Sequence, residues 1–213
     1  MSILEKIYLH IGVEKTGTTT LQTALAINRE LLLRHGFLYP RAPGPYTHLG
    51  LAIYAAKESA VPDLRKSVGL FDRDRYLAFL QAHPVELARE LNASGCHTVI
   101  LSSEHCSSRL STLNEIAKLR RLLRPLARQC NVIVYLRQQD ELAVSQYSTF
   151  VQSGATAEFR FPSGVAWFDY LRLLDMWASV FGQDNLVIRI FEPSQMMGGD
   201  LFADFFSVIG FDE

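Results

Sequence analysis

Residues 6–22, KIYLHIGVEKTGTTTLQ, contain an apolar run, a loop bracketed by two glycines and the beginning of a helical pattern. The run Lys6–Gly12 is rich in β-branched and aromatic residues, which favours a buried strand. Beyond the loop, apolar residues recur at helical spacing until Gly36, a residue typical of helix ends. The stretch therefore predicts a strand, a loop and a helix, the unit that α/β folds repeat.

The same alternation continues along the chain. Five runs are predicted as strands: Lys6–Gly12, Gly36–Pro40, His97–Ser102, Asn131–Arg137 and Leu186–Phe191. The later helical patterns are one with a capping box at Thr112 and Glu115, one from about Asp140 to Gly154, and one from Trp167 to Phe181 that Gly182 ends. This alternation predicts a three-layer, P-loop-like α/β fold with a parallel sheet of about five strands flanked by helices.

Residues 41–95 interrupt the alternation. They open with the loop-like stretch RAPGPYTHLG, and their helical patterns contain Pro62 and Pro84. We interpret 1–213 as one domain in which 41–95 is an insertion. Because substrate crevices of open α/β sheets lie at the carboxyl edge of the strands, we expect this insertion to cap an acceptor pocket.

The amino-acid composition and net charge argue against two classes of binding partner, nucleic acids and anionic membranes. Hydrophobic residues make up 48% of the chain and charged residues 20%, and 21 Lys and Arg against 22 Asp and Glu give a net charge of −1. The net charge is therefore too small to attract nucleic acid or an anionic membrane over long range. An anion site in this chain requires a local group of positive or hydrogen-bond-donating residues. Three cysteines without metal-ligand spacing, and no leader or membrane span at the N-terminus, predict a cytoplasmic protein without a metal site.

The loop after the first predicted strand is a candidate anion site. Gly12 and Gly17 are spaced as in a phosphate-binding loop, but the lysine that nucleoside triphosphatases carry after the second glycine is here inside the loop, at Lys15. Backbone N–H groups before a helix, a cation and hydroxyl groups together suit an anionic ligand. The candidate binding residues are therefore Lys15, Thr16, Gly17, Thr18, Thr19 and Thr20.

The loop resembles the 5′-phosphosulfate loop of the sulfotransferases, which transfer a sulfuryl group from 3′-phosphoadenosine 5′-phosphosulfate (PAPS). The family's second signature, an arginine at a strand end and a serine on the next helix, is matched by Arg137 and by Ser145 eight residues later. The resemblance extends to about Gly210 and is to the bacterial, carbohydrate-type branch. It implies PAPS as donor, PAP (adenosine 3′,5′-bisphosphate) as product, no required metal, and a carbohydrate or small-molecule acceptor.

The chain departs from the family pattern in three places. Thr20 and Leu21 stand where many relatives carry an adenine-stacking aromatic. The family's late Arg-Lys-Gly loop has no match before Glu213, so either the chain is truncated or this anchor comes from elsewhere. The usual Lys-Thr-His of the third strand reads Ser-Ser-Glu, which ends in Glu104.

Three residues are candidates for the base that takes the acceptor's proton. Glu104 occupies the position of the family's histidine, and its alternative role is to cap the following helix. His105 is next to it, and His48 in the inserted loop is a weaker candidate. The resemblance favours Glu104, because related sulfotransferases of other branches use a glutamate base, and the two histidines remain the alternatives.

Two other functions stay open. A nucleotide or sugar kinase with a diverged phosphate loop would need carboxylates for magnesium, for which the strand ends offer Glu104 but no apolar run ending in Asp. A catalytically silent nucleotide-binding module would bind the nucleotide without turnover. The oligomeric state and the acceptor are not determined by the sequence.

Overall fold

A computed structural model describes residues 3–161 and 168–211 of the 213-residue chain. Its centre is a five-stranded sheet in the order β2-β3-β1-β4-β5, and every strand pair is parallel. The strands are β1 Leu4–His10, β2 Phe37–Leu38, β3 Thr98–Ser102, β4 Ala127–Leu136 and β5 Leu186–Ile190. The predicted α/β fold with a parallel five-stranded sheet is confirmed.

Helices connect and cover the strands. Those of the described ranges are α1 Thr18–Ile27, α2 Arg29–Arg34, α3 Leu49–Ala55, α4 Pro62–Ser67, α5 Arg73–Ser94, α6 His105–Arg109, α7 Leu113–Leu123, α8 Gln139–Gln152, α9 Tyr170–Phe181 and α10 Leu201–Ile209. The capping box predicted at Thr112 and Glu115 is present at the start of α7. Trp167, which we predicted in the same helix as Phe181, lies outside the described residues.

Two hydrophobic cores lie on opposite faces of the sheet. Alternate residues of β1 pack into the two cores, Ile7 and Leu9 into one and Tyr8 into the other. The first core contains side chains of α3, α5, α7 and α9, and the second contains side chains of α1, α2 and α10. Burial of β1, β3 and β4 on both faces explains why these central strands read as continuous apolar runs, whereas the edge strand β5 is partly exposed.

The first helix differs from the prediction. We predicted one helix up to Gly36, but the helix is divided at Asn28 into α1 and α2. The Asn28 side chain donates from Nδ2 to the backbone oxygen of Ala24 at 2.9 Å, and so does its backbone N–H at 3.0 Å. Asparagine offers the backbone such local hydrogen bonds in place of continued helix.

Residues 41–95 fold mainly as helices α3, α4 and α5. Pro62 stands in the first turn of α4, where a missing N–H costs nothing, whereas Pro84 lies inside the 22-residue α5. Leu51 and Leu87 are fully buried in the larger core, so this segment forms part of the domain's interior. In the described part of the chain, no helix combines the length and the apolar character that crossing a membrane requires.

The register places three strand ends at one edge. His10, the last residue of β1, lies between Ser102 of β3 and Ile133 of β4. The segments after β1 and β3 therefore begin side by side and contain Lys15 and Glu104, whereas β4 continues along the same edge to Leu136 and is followed directly by Arg137.

Candidate functional site

The loop between β1 and α1 has an unusual backbone. Gly12, Lys15 and Gly17 have positive φ angles of 53°, 67° and 72°, and Lys15 is the one non-glycine residue with positive φ among the described residues. Inside the loop, the buried Thr16 hydroxyl donates to the backbone oxygen of Val13 at 2.6 Å. The Thr16 side chain thus holds the shape of the loop.

Both glycines of the loop are also close to other elements. A Cβ on Gly12 would lie 2.7 Å from Cγ2 of Thr18 and 3.1 Å from Cβ of Glu104. A Cβ on Gly17 would lie 2.6 Å from Cδ2 of Leu201, the first residue of α10. Glycine is therefore favoured at both positions by conformation, and at Gly12 also by the closeness of the Glu104 main chain.

The N-terminus of α1 adjoins this loop. Gly17 precedes the helix in a left-handed conformation, and no side chain caps it. Thr18 is buried, while Thr19 and Thr20 are exposed. The first-turn N–H groups of a helix have no intrahelical partner, and here they adjoin the loop that carries Lys15.

The structure brings the two predicted signatures together. Nη1 of Arg137 donates to the backbone oxygen of Lys15 at 3.1 Å, and Nζ of Lys15 donates to Oγ1 of Thr149 on α8 at 2.6 Å. Arg137, Ser145 and Thr149 line one cavity of about 570 Å³, here called the Arg137 cavity. Two acidic side chains at the start of α8 line the same cavity, and Lys15 contacts its wall at Thr149. A guanidinium, hydroxyl groups and two carboxylates therefore surround this region at the sheet edge.

Arg137 is held in place from several sides. Its Nε donates to Glu141 Oε2 at 3.2 Å, and the Tyr170 hydroxyl donates to its backbone oxygen at 2.7 Å. The guanidinium carbon lies 5.8 Å from the centre of the Phe191 ring. Since a guanidinium carries five N–H donors, most remain for a ligand after these contacts.

A second cavity lies on the other side of Thr149. Lys15, Thr149, Tyr147 and Phe159 are among the residues lining its volume of about 510 Å³. We expected 41–95 to form the acceptor side, but the walls of this Lys15 cavity come from α8 and the segment after it. A separate cavity of about 390 Å³ within the insertion contains no residue of the loop. The role of 41–95 in acceptor binding stays a prediction.

Glu104 lies beside the loop, between β3 and α6. One of its carboxylate oxygens, Oε2, accepts a hydrogen bond from Nε2 of Gln22 at 2.6 Å. Its side chain makes no capping hydrogen bond to α6, the alternative role that the sequence left open. Glu104 is half-buried, and its main chain lies against the loop, because a Cβ on Gly12 would be 3.1 Å from Cβ and 3.2 Å from Cα of Glu104. A catalytic role for its carboxylate stays a prediction.

The two histidine candidates have different surroundings. His48 is fully buried, Nε2 lies 2.9 Å from the backbone oxygen of Pro40, and Nδ1 accepts from the Ser102 N–H at 3.1 Å. Burial lowers the pKa of His48 to about 3, so it is neutral with both nitrogens occupied. His105 begins α6, and its buried Nδ1 has no hydrogen-bond partner among the described residues. The catalytic role of each stays a prediction.

Sequence reasoning missed two residues of this region, Gln22 and Thr149. Gln22 follows Thr18 by one helical turn and lies among buried leucines. A polar residue at a core position of a helix is the signal that could have identified it. Thr149 follows Ser145 by one turn on α8, which places both hydroxyl groups on the same helix face. Among the described residues, no three His, Cys, Asp or Glu side chains are grouped to hold a metal ion.

A crystal structure of a sulfotransferase from Alicyclobacillus acidocaldarius resembles this chain with a TM-score of 0.51, covering 90% of this chain and 74% of that one. The chain has a sulfotransferase-like fold. Sequence identity between the two is 14%, so the similarity concerns architecture and not a branch of the family. A structure from the PezAT chromosomal toxin–antitoxin system of Streptococcus pneumoniae matches 91% of this chain at a TM-score of 0.38 and 12% identity, too low to support an argument.

Sequence comparison adds a partial relative. An uncharacterized protein from Archaeoglobus fulgidus is 30% identical over 103 residues, which are 47% of this chain. The match spans about a quarter of that protein's length, 27%. No family model matches the sequence.

Proposed function

We propose that this protein is a PAPS-dependent sulfotransferase that transfers a sulfuryl group to a hydroxyl or amine of a carbohydrate or other small-molecule acceptor. The observation that carries the proposal is the hydrogen bond from Arg137 to the backbone of Lys15. It joins the two groups that the family resemblance assigns to the two phosphate ends of one nucleotide. The sulfotransferase-like fold supports the same reading.

The donor set suits a ligand with two anionic ends. Lys15 uses one of its three N–H protons on Thr149, which leaves two for a phosphosulfate in the loop. Arg137 and Ser145 line one cavity and offer a guanidinium and a hydroxyl to a 3′-phosphate. The loop and the first turn of α1 add backbone N–H groups. These residues would hold PAPS, which supplies an activated sulfuryl group when bound.

The chain's own residues would then perform three tasks. The Lys15 ammonium neutralises the negative charge that grows on the leaving phosphate oxygen. The Glu104 carboxylate takes the proton from the acceptor oxygen or nitrogen as its bond to sulfur forms. Gly12, with no side chain, lets the loop approach Glu104 closely enough for both groups to act on one ligand.

Binding experiments separate this proposal from the kinase alternative. We expect PAP to bind in calorimetric titrations without magnesium, and to bind at least about tenfold more tightly than AMP, because charge-assisted hydrogen bonds to one phosphate contribute about 1.5–3 kcal/mol. Equal affinities for AMP and PAP would remove the 3′-phosphate site. ATP binding that depends on magnesium and exceeds PAP binding would favour a kinase.

Turnover distinguishes an enzyme from a silent module. Incubation of the protein with ³⁵S-labelled PAPS and mixtures of carbohydrate, phenolic and amine acceptors should transfer label to an acceptor. PAP binding together with neither transfer of label to an acceptor nor release of free PAP from PAPS would instead support a nucleotide-binding module.

A further inference from the structure

Gln22 connects Glu104 to the centre of the sheet. The Gln22 side chain is fully buried on α1, and its Nε2 donates to Oε2 of Glu104 at 2.6 Å and to Oγ of Ser102 at 3.2 Å. The Ser102 hydroxyl in turn lies 2.8 Å from Nδ1 of His10. Side chains from α1, β3 and β1 thus form one buried chain of hydrogen bonds that ends at Glu104.

The directions of these hydrogen bonds are mutually consistent. An ionised carboxylate only accepts, so Gln22 has to present its NH₂ group to Glu104. The second proton of that NH₂ group then reaches Ser102, whose own hydroxyl proton is free for Nδ1 of His10. Burial lowers the pKa of His10 to about 4, and the neutral ring can accept that proton.

Core stability does not explain why Gln22 is polar. Its Oε1 is buried and has no hydrogen-bond partner in the described part of the chain. Leaving a buried amide oxygen unpaired is unfavourable, whereas an unbranched apolar side chain of the same length would fill the space without that cost. The neighbouring Leu21 and Leu25 show that the core accepts apolar residues here. What distinguishes Gln22 is the carboxylate that it holds.

We propose that Gln22 is the positioning residue for Glu104 and fixes the orientation of its carboxylate at the carboxyl end of β3. This inference rests on the proposed function, in which Glu104 takes the acceptor's proton. The amide serves both states of that carboxyl group: Nε2 donates to the carboxylate, and after a half-turn Oε1 accepts from the protonated acid. The proton stays on Glu104, and Gln22 neither gains nor loses one.

The test compares Gln22→Met, which keeps the length and removes the amide, with Gln81→Met, the same change at an exposed position of α5. We expect Gln22→Met to lower kcat by about 10- to 100-fold through misplacement of the base, with KM for PAPS and affinity for PAP unchanged. In a Glu104→Gln background the same substitution should cause no further loss. Wild-type kcat in Gln22→Met, or an equal loss in the Glu104→Gln background, would overturn the proposal.

A crystal structure of Gln22→Met provides a readout that needs no acceptor. The Glu104 carboxylate should leave the position in which it accepts from Gln22 in the wild-type protein, while the contact between Arg137 and Lys15 persists. An unmoved carboxylate would contradict the inference. If wild-type protein neither binds PAP nor transfers sulfate, the proposed function fails, and this structure still decides whether Gln22 holds Glu104. Gln22→Asn, which is polar but too short to span the distance, repeats the test if the methionine variant does not fold.

Discussion

The Arg137 guanidinium donates to the backbone oxygen of Lys15 at 3.1 Å across 122 residues of sequence. This contact joins the end of β4 to the loop after β1, two positions that are brought together only by the pairing of their strands. The two residues proposed to bind opposite ends of the nucleotide are therefore directly hydrogen-bonded to each other. Four predictions follow from this arrangement and from the buried groups around it.

Replacement of Arg137 by lysine should weaken PAP binding selectively. Lysine keeps the charge but loses the planar fork of donors, so the affinity for PAP should fall by about 1–3 kcal/mol. AMP, which has no 3′-phosphate, serves as the control ligand and should lose much less. Equal losses for both nucleotides in calorimetry would show that Arg137 acts on the loop and not on the 3′-phosphate.

Substitutions of Lys15 should separate backbone strain from chemistry. Lys15→Ala and Lys15→Gly both remove the ammonium, so both should lose donor affinity and turnover. At a φ of 67°, glycine is relaxed and alanine is not, so Lys15→Gly should have the higher free energy of unfolding by about 1 kcal/mol. Denaturant titration measures this difference. Identical stabilities would mean that the loop changes conformation when the lysine is removed.

Removal of the base should affect rate and not binding. Glu104→Gln is nearly isosteric, so PAPS should bind almost normally while turnover falls by about 10² to 10⁴, the usual contribution of a positioned base. His105→Ala and His48→Ala provide the comparison. If Glu104→Gln kept wild-type turnover and one histidine variant lost it, that histidine would be the base.

Three buried histidines should make the protein sensitive to acid. Burial lowers the pKa of His10 and His83 to about 4 and that of His48 to about 3. In the unfolded chain these histidines become protonated near pH 6.5, whereas in the native protein they stay neutral. The free energy of unfolding is therefore highest above pH 6.5 and decreases as the pH falls toward 4. Each histidine should lower the free energy of unfolding by about 2 kcal/mol between pH 7 and pH 5.

His83 offers a clean test of this sensitivity. Neither of its ring nitrogens has a hydrogen-bond partner among the described residues, and its ring stacks on Phe79 at 4.8 Å. His83→Phe should therefore keep the stacking and reduce the slope of stability against pH by about one proton. The free energy of unfolding is measured by denaturant titration at several pH values from 5 to 7. If its dependence on pH were the same in His83→Phe as in the wild type, His83 would not contribute to the acid sensitivity.

The sequence predicted the five parallel strands because short apolar runs such as Leu186–Phe191 can be recognised without knowledge of the strands beside them. It also predicted the loop around Lys15 and the pair of Arg137 and Ser145, which have a fixed local spacing. The sequence did not predict the contacts between elements that are distant along the chain. The bonds from Lys15 to Thr149 and from Gln22 to Glu104 depend on how α1, β3 and α8 pack, and no local pattern encodes that geometry.

Gly17 lies against Leu201, so the loop at the start of the chain is completed by a helix near its end. During synthesis, the ribosome releases Lys15, Glu104, Arg137 and Ser145 well before Leu201. Domains generally fold as units while the N-terminal part emerges first. A nascent chain that has emerged only as far as α9 therefore carries every proposed binding residue without the helix that packs on Gly17. We therefore expect the loop after β1 to reach its final packing only once α10 has been synthesised.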